Sequence, residues 1–201
     1  MDAFGSAFSA ENTARSVRIE VFTSSFRVSG VTTTRANRVG DLLNQVSSTH
    51  LAIDQATLVE HGDQDGLPGL QHVLVPVEQV LFVIAPELDA STRPEMQIAR
   101  RATPVHLGLG PFMVGGELHV APGAGSVEGL LNSGDRFIVL TGALISCRAH
   151  PELDRQVPAI GLQRMLAIMA ISEEVAQSGG ALADVLDAET AAGWLRKPDP
   201  G

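Results

Sequence analysis

The chain has 201 residues, of which 44% are hydrophobic, 18% are charged and 4% are aromatic. This length buries a full core as one domain or two small ones, which excludes extensive disorder. The 23 acidic residues outnumber the 14 basic ones, Lys197 is the one lysine and there is no tyrosine, so nucleic-acid binding is disfavoured.

The first predicted element follows a small, polar N-terminal segment, residues 1–16, that we expect to be mobile. Apolar and polar residues then alternate along 17–21 and again along 26–29, the period of a half-buried strand. Ser24 and Ser25 stand between the two runs. The pattern predicts a β-hairpin that turns at these serines.

The hydrophobic period then changes to that of a helix. Val39, Leu42 and Leu43 are spaced i, i+3 and i+4, which places them on one face of a helix of about two turns. Asn37 is a candidate N-cap. Asn44 is expected at the C-terminal end of the helix, where a residue in the left-handed conformation is often asparagine. Apolar segments after the helix predict two further strands.

The second half of the chain repeats this order of elements. The pattern Phe-x-Val-x-Gly that ends at Gly30 recurs at Gly116, and the separation between matched blocks stays between 85 and 88 residues. Self-similarity at a nearly fixed spacing indicates a duplication. The residues that define the repeat signature are Gly30, Leu42, Leu43, Asn44, Gly116, Leu130, Leu131 and Asn132.

The end of each repeat also matches, residues 75–85 against 160–170, without a gap. Pro76 and Gly161 share one aligned position between apolar residues. Proline lacks the ladder donor and glycine weakens a strand, so both predict a bulge or corner where the sheet bends. In the second repeat, Gly110 and Pro111 predict the hairpin turn.

These elements predict a mainly β protein with short helices. We expect two tandem strand-strand-helix-strand-strand units, each a curved sheet or small partly open barrel. The expected divisions are a mobile segment at 1–16, unit one at 17–86, a linker at 87–103, unit two at 104–171 and a tail at 172–201. Within the tail, 181–197 is expected to form a helix that buries Leu182, Leu186 and Trp194 in part. The sequence leaves open whether the units share one sheet or form separate domains.

One loop offers candidate metal ligands. His61, Asp63 and Asp65 alternate with glycine and glutamine, a spacing that can turn several ligands toward one cation. A calcium loop needs acidic residues at its first and twelfth positions, whereas these are His61 and His72. We interpret the loop as a polar turn and keep the three side chains as the metal-ligand candidates.

Other chemistry-bearing residues do not form a recognisable catalytic pattern. Gly123-Ala124-Gly125-Ser126 precedes a predicted helix that is too short for a dinucleotide-binding crossover. Cys147 is the one cysteine, which excludes a disulfide scaffold, and a packed thiol is the expected state. The six histidines lack compact ligand spacing, and His106 and His119 are expected on outward strand positions. No catalytic or cofactor-binding residue, and no cofactor, is predicted.

The stretch Arg38-Val39-Gly40-Asp41-Leu42-Leu43-Asn44, set between hairpins, resembles small bacterial domains of unknown function that carry an Arg-x-x-Asp-x-Leu-Asn helix. The likeness extends over residues 17–86 and more loosely over 104–171, where Gly129 replaces the aspartate. The family has no assigned chemistry. The resemblance therefore implies an architecture and no catalytic residue.

The sequence favours a non-catalytic module that assembles with itself or binds another protein, because unpaired sheet edges readily pair with another chain. The first alternative is an Sm-like, ring-forming RNA binder, which the acidity disfavours. The second is a small-ligand or metal-binding sensor or enzyme that uses the loop 61–66 or the cleft between units. The start of the chain lacks a basic, signal-like region and the apolar runs are far shorter than about 18 residues, so a cytoplasmic location without membrane insertion is expected.

Overall fold

A computed structural model describes residues 13–45, 49–63, 65–88, 101–120 and 134–170. Ten strands and one short α-helix make up the regular structure of this part of the chain, in the following order: β1 (Arg15–Phe22), β2 (Phe26–Thr34), α1 (Val39–Asn44), β3 (His50–Glu60), β4 (Leu67–Pro76), β5 (Phe82–Ile84), β6 (Arg101–Leu109), β7 (Phe112–Val120), β8 (Phe137–Cys147), β9 (Arg155–Gln163) and β10 (Ile168–Ala170). Short 3₁₀ turns follow β4, β8 and β9, at Val77–Gln79, Pro151–Leu153 and Arg164–Leu166.

All ten strands belong to one antiparallel sheet in the order β10-β6-β7-β8-β9-β5-β1-β2-β3-β4. The predicted mainly β class is confirmed. The expected four strands in each unit are wrong: each half has five strands, because a 3₁₀ turn interrupts each expected final segment, 75–85 and 160–170. The strands of the two halves of the sequence join in a continuous sheet through β9 and β5. The sheet is open, with β10 at one edge and β4 at the other.

The first hairpin forms as the alternation predicts. Val17, Ile19 and Val21 of β1 are buried while Arg18 between them is exposed. The Thr23 hydroxyl closes the turn by accepting the Phe26 N–H at 2.9 Å. The second hairpin turns at Gly110, whose φ of 59° is a left-handed conformation that glycine adopts without strain.

Gly30 and Gly116 each lie at a register shift between neighbouring strands, β2 with β3 and β7 with β8. A Cβ on Gly30 would lie 2.6 Å from the Asp54 carbonyl oxygen, and one on Gly116 would lie 3.2 Å from the Thr141 carbonyl oxygen. The glycines are required because the neighbouring strand bulges toward them. Both bulges contain a left-handed residue, Gln55 at φ 50° and Gly142 at φ 58°.

Helix α1 buries Val39, Leu42 and Leu43, which confirms the predicted apolar face. Two predictions about its ends are wrong. The N-cap residue is Arg38, without a side-chain cap, rather than Asn37. Asn44 is the last helical residue and is followed by a right-handed Gln45, so a left-handed conformation does not explain this asparagine.

A bulge or corner was predicted at both Pro76 and Gly161. The prediction is correct for Pro76 and wrong for Gly161. Pro76 ends β4 directly before the 3₁₀ turn Val77–Gln79. Gly161 lies inside β9, two residues before that strand ends at Gln163. The gap-free alignment of these segments is therefore wrong, because the residues that end a strand directly before a 3₁₀ turn are Pro76 and Gln163.

Two hydrophobic clusters fill the core, and each takes residues from both halves of the sequence. The larger cluster contains β6–β9 side chains together with Phe22, Phe82 and Ile84. The smaller cluster contains β1–β4 and α1 side chains together with Phe137. Strand β1 begins at Arg15 and β6 at Arg101, two and three residues before the expected starts of units one and two. The expected C-terminal helix lies outside the described residues.

Candidate functional site

The sheet junction between β9 and β5 joins the two halves of the chain. Phe82 pairs with Leu162, and Val83 pairs with Gly161. The Gln163 backbone N–H extends this ladder by donating to the Leu81 carbonyl at 2.9 Å. The Gln163 side-chain amide also donates to the Glu78 carbonyl, at 3.2 Å. Short as it is, this ladder makes the sheet continuous.

Helix α1 from the first half packs over β8 and β9 of the second half at this junction. The Asn44 amide donates from Nδ2 to the Phe137 carbonyl and accepts from the Phe137 N–H, both at 2.9 Å. Gly161 allows the helix to approach closely, since a Cβ there would lie 2.5 Å from Leu43 Cδ1. The asparagine and the glycine together fix the helix on the neighbouring half.

Aromatic and charged side chains complete the junction. The rings of Phe22 and Phe82 stack at 4.4 Å, and Phe112 packs edge-on against both. Arg155 donates to both carboxylate oxygens of Glu20, at 2.9 and 3.2 Å, and its guanidinium lies 5.1 Å from the centre of the Phe22 ring. The pair is half-buried, so solvent screens it less than an exposed ion pair.

The two open edges of the sheet carry exposed apolar side chains. On β4, Leu74 is 63% exposed. At the other edge, Ile168 of β10 is 77% exposed and Met165 in the preceding 3₁₀ turn is 75% exposed. Among the described residues, no further strand pairs with either edge, so both edges combine open backbone groups with apolar surface, the combination that promotes pairing with a further strand.

The loop 61–66 does not bring its three candidate ligands together. The His61 ring lies against Phe112, with ring centres 5.2 Å apart, and its Nε2 donates to the Thr23 carbonyl at 3.0 Å. The Asp63 carboxylate accepts the Asp65 N–H at 3.0 Å, as in a polar turn. Within the described residues, no group of three or more His, Cys, Asp or Glu side chains is arranged to hold a metal ion.

A cavity of about 290 Å³ lies beside this loop, where the first half meets the turn after β8. Its lining includes Arg27, Glu60 and His61 from one side and Glu152 and Leu153 from the other. The Nδ1 atom of His61 is buried and has no hydrogen-bond partner within the described ranges of the chain. The described lining residues form a cleft with mixed charge, and none of them is a nucleophile oriented by a base.

The remaining sequence candidates take ordinary structural positions. Cys147 is buried, and its backbone N–H donates to the Asp154 carboxylate at 2.7 Å. The His119 ring contacts the Thr141 hydroxyl at 2.7 Å. His106 is half-buried between β7 and β10 rather than fully solvated, and burial lowers its pKa. None of these groups adjoins another to form a catalytic pair in the part of the chain described.

Four residues of the predicted repeat signature have defined roles: Gly30 and Gly116 at the bulges, and Leu43 and Asn44 at the junction. Leu42 is a core residue, and Leu130, Leu131 and Asn132 lie outside the described residues. The sequence did not predict the junction. It led us to expect open sheet edges, but it did not identify Leu74 and Ile168 as the exposed apolar residues on them. The signal available was the isolated Gly161 within an apolar run, which indicates a close approach of another element.

No protein-family model, no curated protein and no solved structure matches this chain. The resemblance to small bacterial domains thus stays a prediction. Within the described ranges, no helix has the length and apolar character required to cross a membrane.

Proposed function

We propose that this protein is a non-catalytic assembly module, built from two copies of one β unit, whose function is to associate with further copies of itself. The order of the strands in the sheet is the main support for this proposal. The first-half strands lie in the order β5-β1-β2-β3-β4 and the second-half strands in the equivalent order β10-β6-β7-β8-β9. The junction between them pairs the two strand types, β9 and β5, whose counterparts β4 and β10 are left at the open edges.

The bulges support the equivalence of the two halves. In the first half, the pairing of β2 with β3 shifts between Ser29 with Thr57 and Val31 with Asp54. In the second half, β7 and β8 shift at the same place, across Gly116. A shared bulge with a left-handed residue on the same strand is a detailed feature that two unrelated sheets would seldom have in common.

The open edges support association. Edge strands expose unpaired N–H and C=O groups, and native proteins commonly protect them with charged side chains or bulges. Here Leu74 and Ile168 are more than half exposed on the two edge strands. The structure already contains one junction of this kind, so the same pairing of backbone groups is available for another. The close helix packing over Gly161 does not carry over, because Leu74 stands at the corresponding position of β4.

Light scattering coupled to size-exclusion chromatography tests the proposal. We expect the wild-type protein to have a molar mass that is a defined multiple of 21.1 kDa and persists on dilution. Concentration should be read by refractive index, because one tryptophan and no tyrosine give weak ultraviolet absorbance. A monomer at all concentrations would overturn self-assembly.

A matched variant identifies the surface involved. The double substitution Leu74→Lys and Ile168→Lys places a charge on each open edge at positions that are exposed in the monomer. We expect the variant to be monomeric with an unchanged circular dichroism spectrum. An assembly that survives both substitutions would show that the sheet edges are not the contact.

A further inference from the structure

We infer that the β4 edge of one molecule binds the β10 strand of a second copy of this chain, head to tail, in the register that β9 and β5 use at the internal junction. The inference rests on the proposed function and specifies its interface. The segment that binds the β4 edge is thus strand β10, and the partner is a second copy of this chain. Each molecule offers one β4 edge and one β10 edge, so both ends of the sheet take part.

The register follows from the 3₁₀ turns, which mark equivalent positions in the two halves. Strands β4 and β9 both end directly before such a turn, so Pro76 corresponds to Gln163 and Leu74 to Gly161. Strands β5 and β10 each have three residues, and both pair with the first strand of their own half.

The internal pairing can therefore be transferred between molecules. Within the chain, Phe82 pairs with Leu162 and Val83 with Gly161. The equivalent intermolecular pairs are Ile168 with Val75 and Met169 with Leu74.

Burial at the internal junction indicates what the intermolecular contact provides. Phe82, the counterpart of Ile168, is fully buried, whereas Ile168 is 77% exposed. Pairing of β10 with β4 would transfer that apolar side chain from water to a sheet interior. Removing apolar surface from water is the main favourable contribution to most protein association. The exposure of Ile168 and Leu74 in the isolated chain is thus explained by a contact that the single molecule lacks.

Pro76 makes the intermolecular contact weaker than the internal one. Its counterpart Gln163 donates its backbone N–H across the junction to the Leu81 carbonyl. Proline has no N–H, so the intermolecular ladder lacks this hydrogen bond. The proline does not disturb the β3–β4 pairing. The next N–H, that of Val77, donates toward the β3 side, to the Thr49 carbonyl, and successive backbone nitrogens of an extended strand point to opposite sides, so the Pro76 nitrogen faces the open edge. The contact is consequently expected to be more reversible than the fixed junction within the chain.

The contact uses two different edges, so it is heterologous and propagates until it closes on itself. Every added molecule contributes two units, and a closed ring of such molecules contains an even number of units. Pairing of two β4 edges with each other would instead give a symmetric dimer that stops growing. The two arrangements predict different contacts for one residue, Leu74.

Disulfide trapping distinguishes them. In a Cys147→Ala background, which removes the buried native thiol, we would prepare the single variants Leu74→Cys and Met169→Cys. Oxidation of their equimolar mixture is expected to give a disulfide-linked dimer, because directly opposed residues of paired strands lie within disulfide distance. Each variant oxidised alone is expected to stay unlinked. The control mixture contains Leu74→Cys and Ile168→Cys, and these positions are one residue out of register. Their side chains would lie on opposite faces of the sheet, so the disulfide should form more slowly by about tenfold or more.

The outcomes separate this inference from the proposed function. Light scattering first establishes whether the unoxidised variants assemble, and a monomer at that stage overturns the proposed function itself. If the variants assemble but Leu74→Cys links to itself, the contact is a symmetric β4 pair and the head-to-tail inference is wrong. Assembly without any disulfide, or equal linkage in the out-of-register mixture, also contradicts the register. Only rapid, mixture-dependent linkage of positions 74 and 169 supports it.

Discussion

Replacing Asn44 by alanine tests the mode of attachment between helix α1 and the second half of the chain. The substitution removes one donor and one acceptor, each 2.9 Å from the backbone of the buried Phe137. A buried backbone group left without a partner costs about 1–3 kcal/mol. Because Asn44 is only half-buried, water partly replaces the amide, and we expect a loss near the lower end for each group, about 2 kcal/mol in total.

Equilibrium urea unfolding, followed by far-ultraviolet circular dichroism, measures this loss as a lower midpoint at unchanged slope. In thermal unfolding the same loss corresponds to a decrease of about 4–8 °C for a protein of this size. The matched control is Asp41→Ala on the exposed face of the same helix, which should change stability by less than about 0.5 kcal/mol. If Asn44→Ala were as stable as that control, the two hydrogen bonds would not hold the helix on the second half.

Three further substitutions each test one structural feature. Gly161→Val should destabilise the protein by more than about 2 kcal/mol in urea unfolding, because the added atoms overlap Leu43, and a loss below about 0.5 kcal/mol would contradict the close approach. Gln55→Gly should raise stability by about 0.5 kcal/mol, since it relieves a left-handed conformation at φ 50°; a lower midpoint would refute this. Burial lowers the pKa of His106, so the folded state binds fewer protons than the unfolded state; stability should be complete above the ordinary value of 6.5 and decline as the pH falls below it. His106→Gln should reduce that decline in thermal melts between about pH 7 and pH 5, and an unchanged profile would show that another group is responsible.

Local patterns predicted both hairpin turns and the apolar face of helix α1, but only four of the five strands in each half. Period-two alternation and i, i+3, i+4 spacing both arise because a strand or helix buries one of its faces in the core. Each element shows this pattern in its own residues, so it can be recognised without knowledge of the neighbouring elements. The recurrence of Gly30 at Gly116 was also informative, because a bulge toward a neighbouring strand leaves no room for a side chain at either position.

The sequence did not predict how the two halves join. Pairing of β9 with β5 depends on backbone C=O groups, which every residue carries, and on backbone N–H groups, which only proline lacks. No side-chain pattern therefore marks it. The role of Asn44 was misread for a related reason: its partner, Phe137, is distant in the sequence, and local rules assign asparagine to helix ends. The exposure of Leu74 and Ile168 was not predictable either. Leucine and isoleucine are typical core residues, and only the position of these two on the edge strands exposes them.

Mixing two singly blocked variants tests whether the β4 edge of one molecule pairs with the β10 edge of another. Leu74→Lys blocks only the β4 edge, and Ile168→Lys blocks only the β10 edge, so each variant alone should be confined to a monomer of 21.1 kDa. In an equimolar mixture, one intact β4 edge meets one intact β10 edge. If the edges pair head to tail, light scattering of the mixture will detect a complex of two chains and no larger species. A mixture that stays monomeric, or a single variant that assembles by itself, would contradict head-to-tail pairing of the sheet edges.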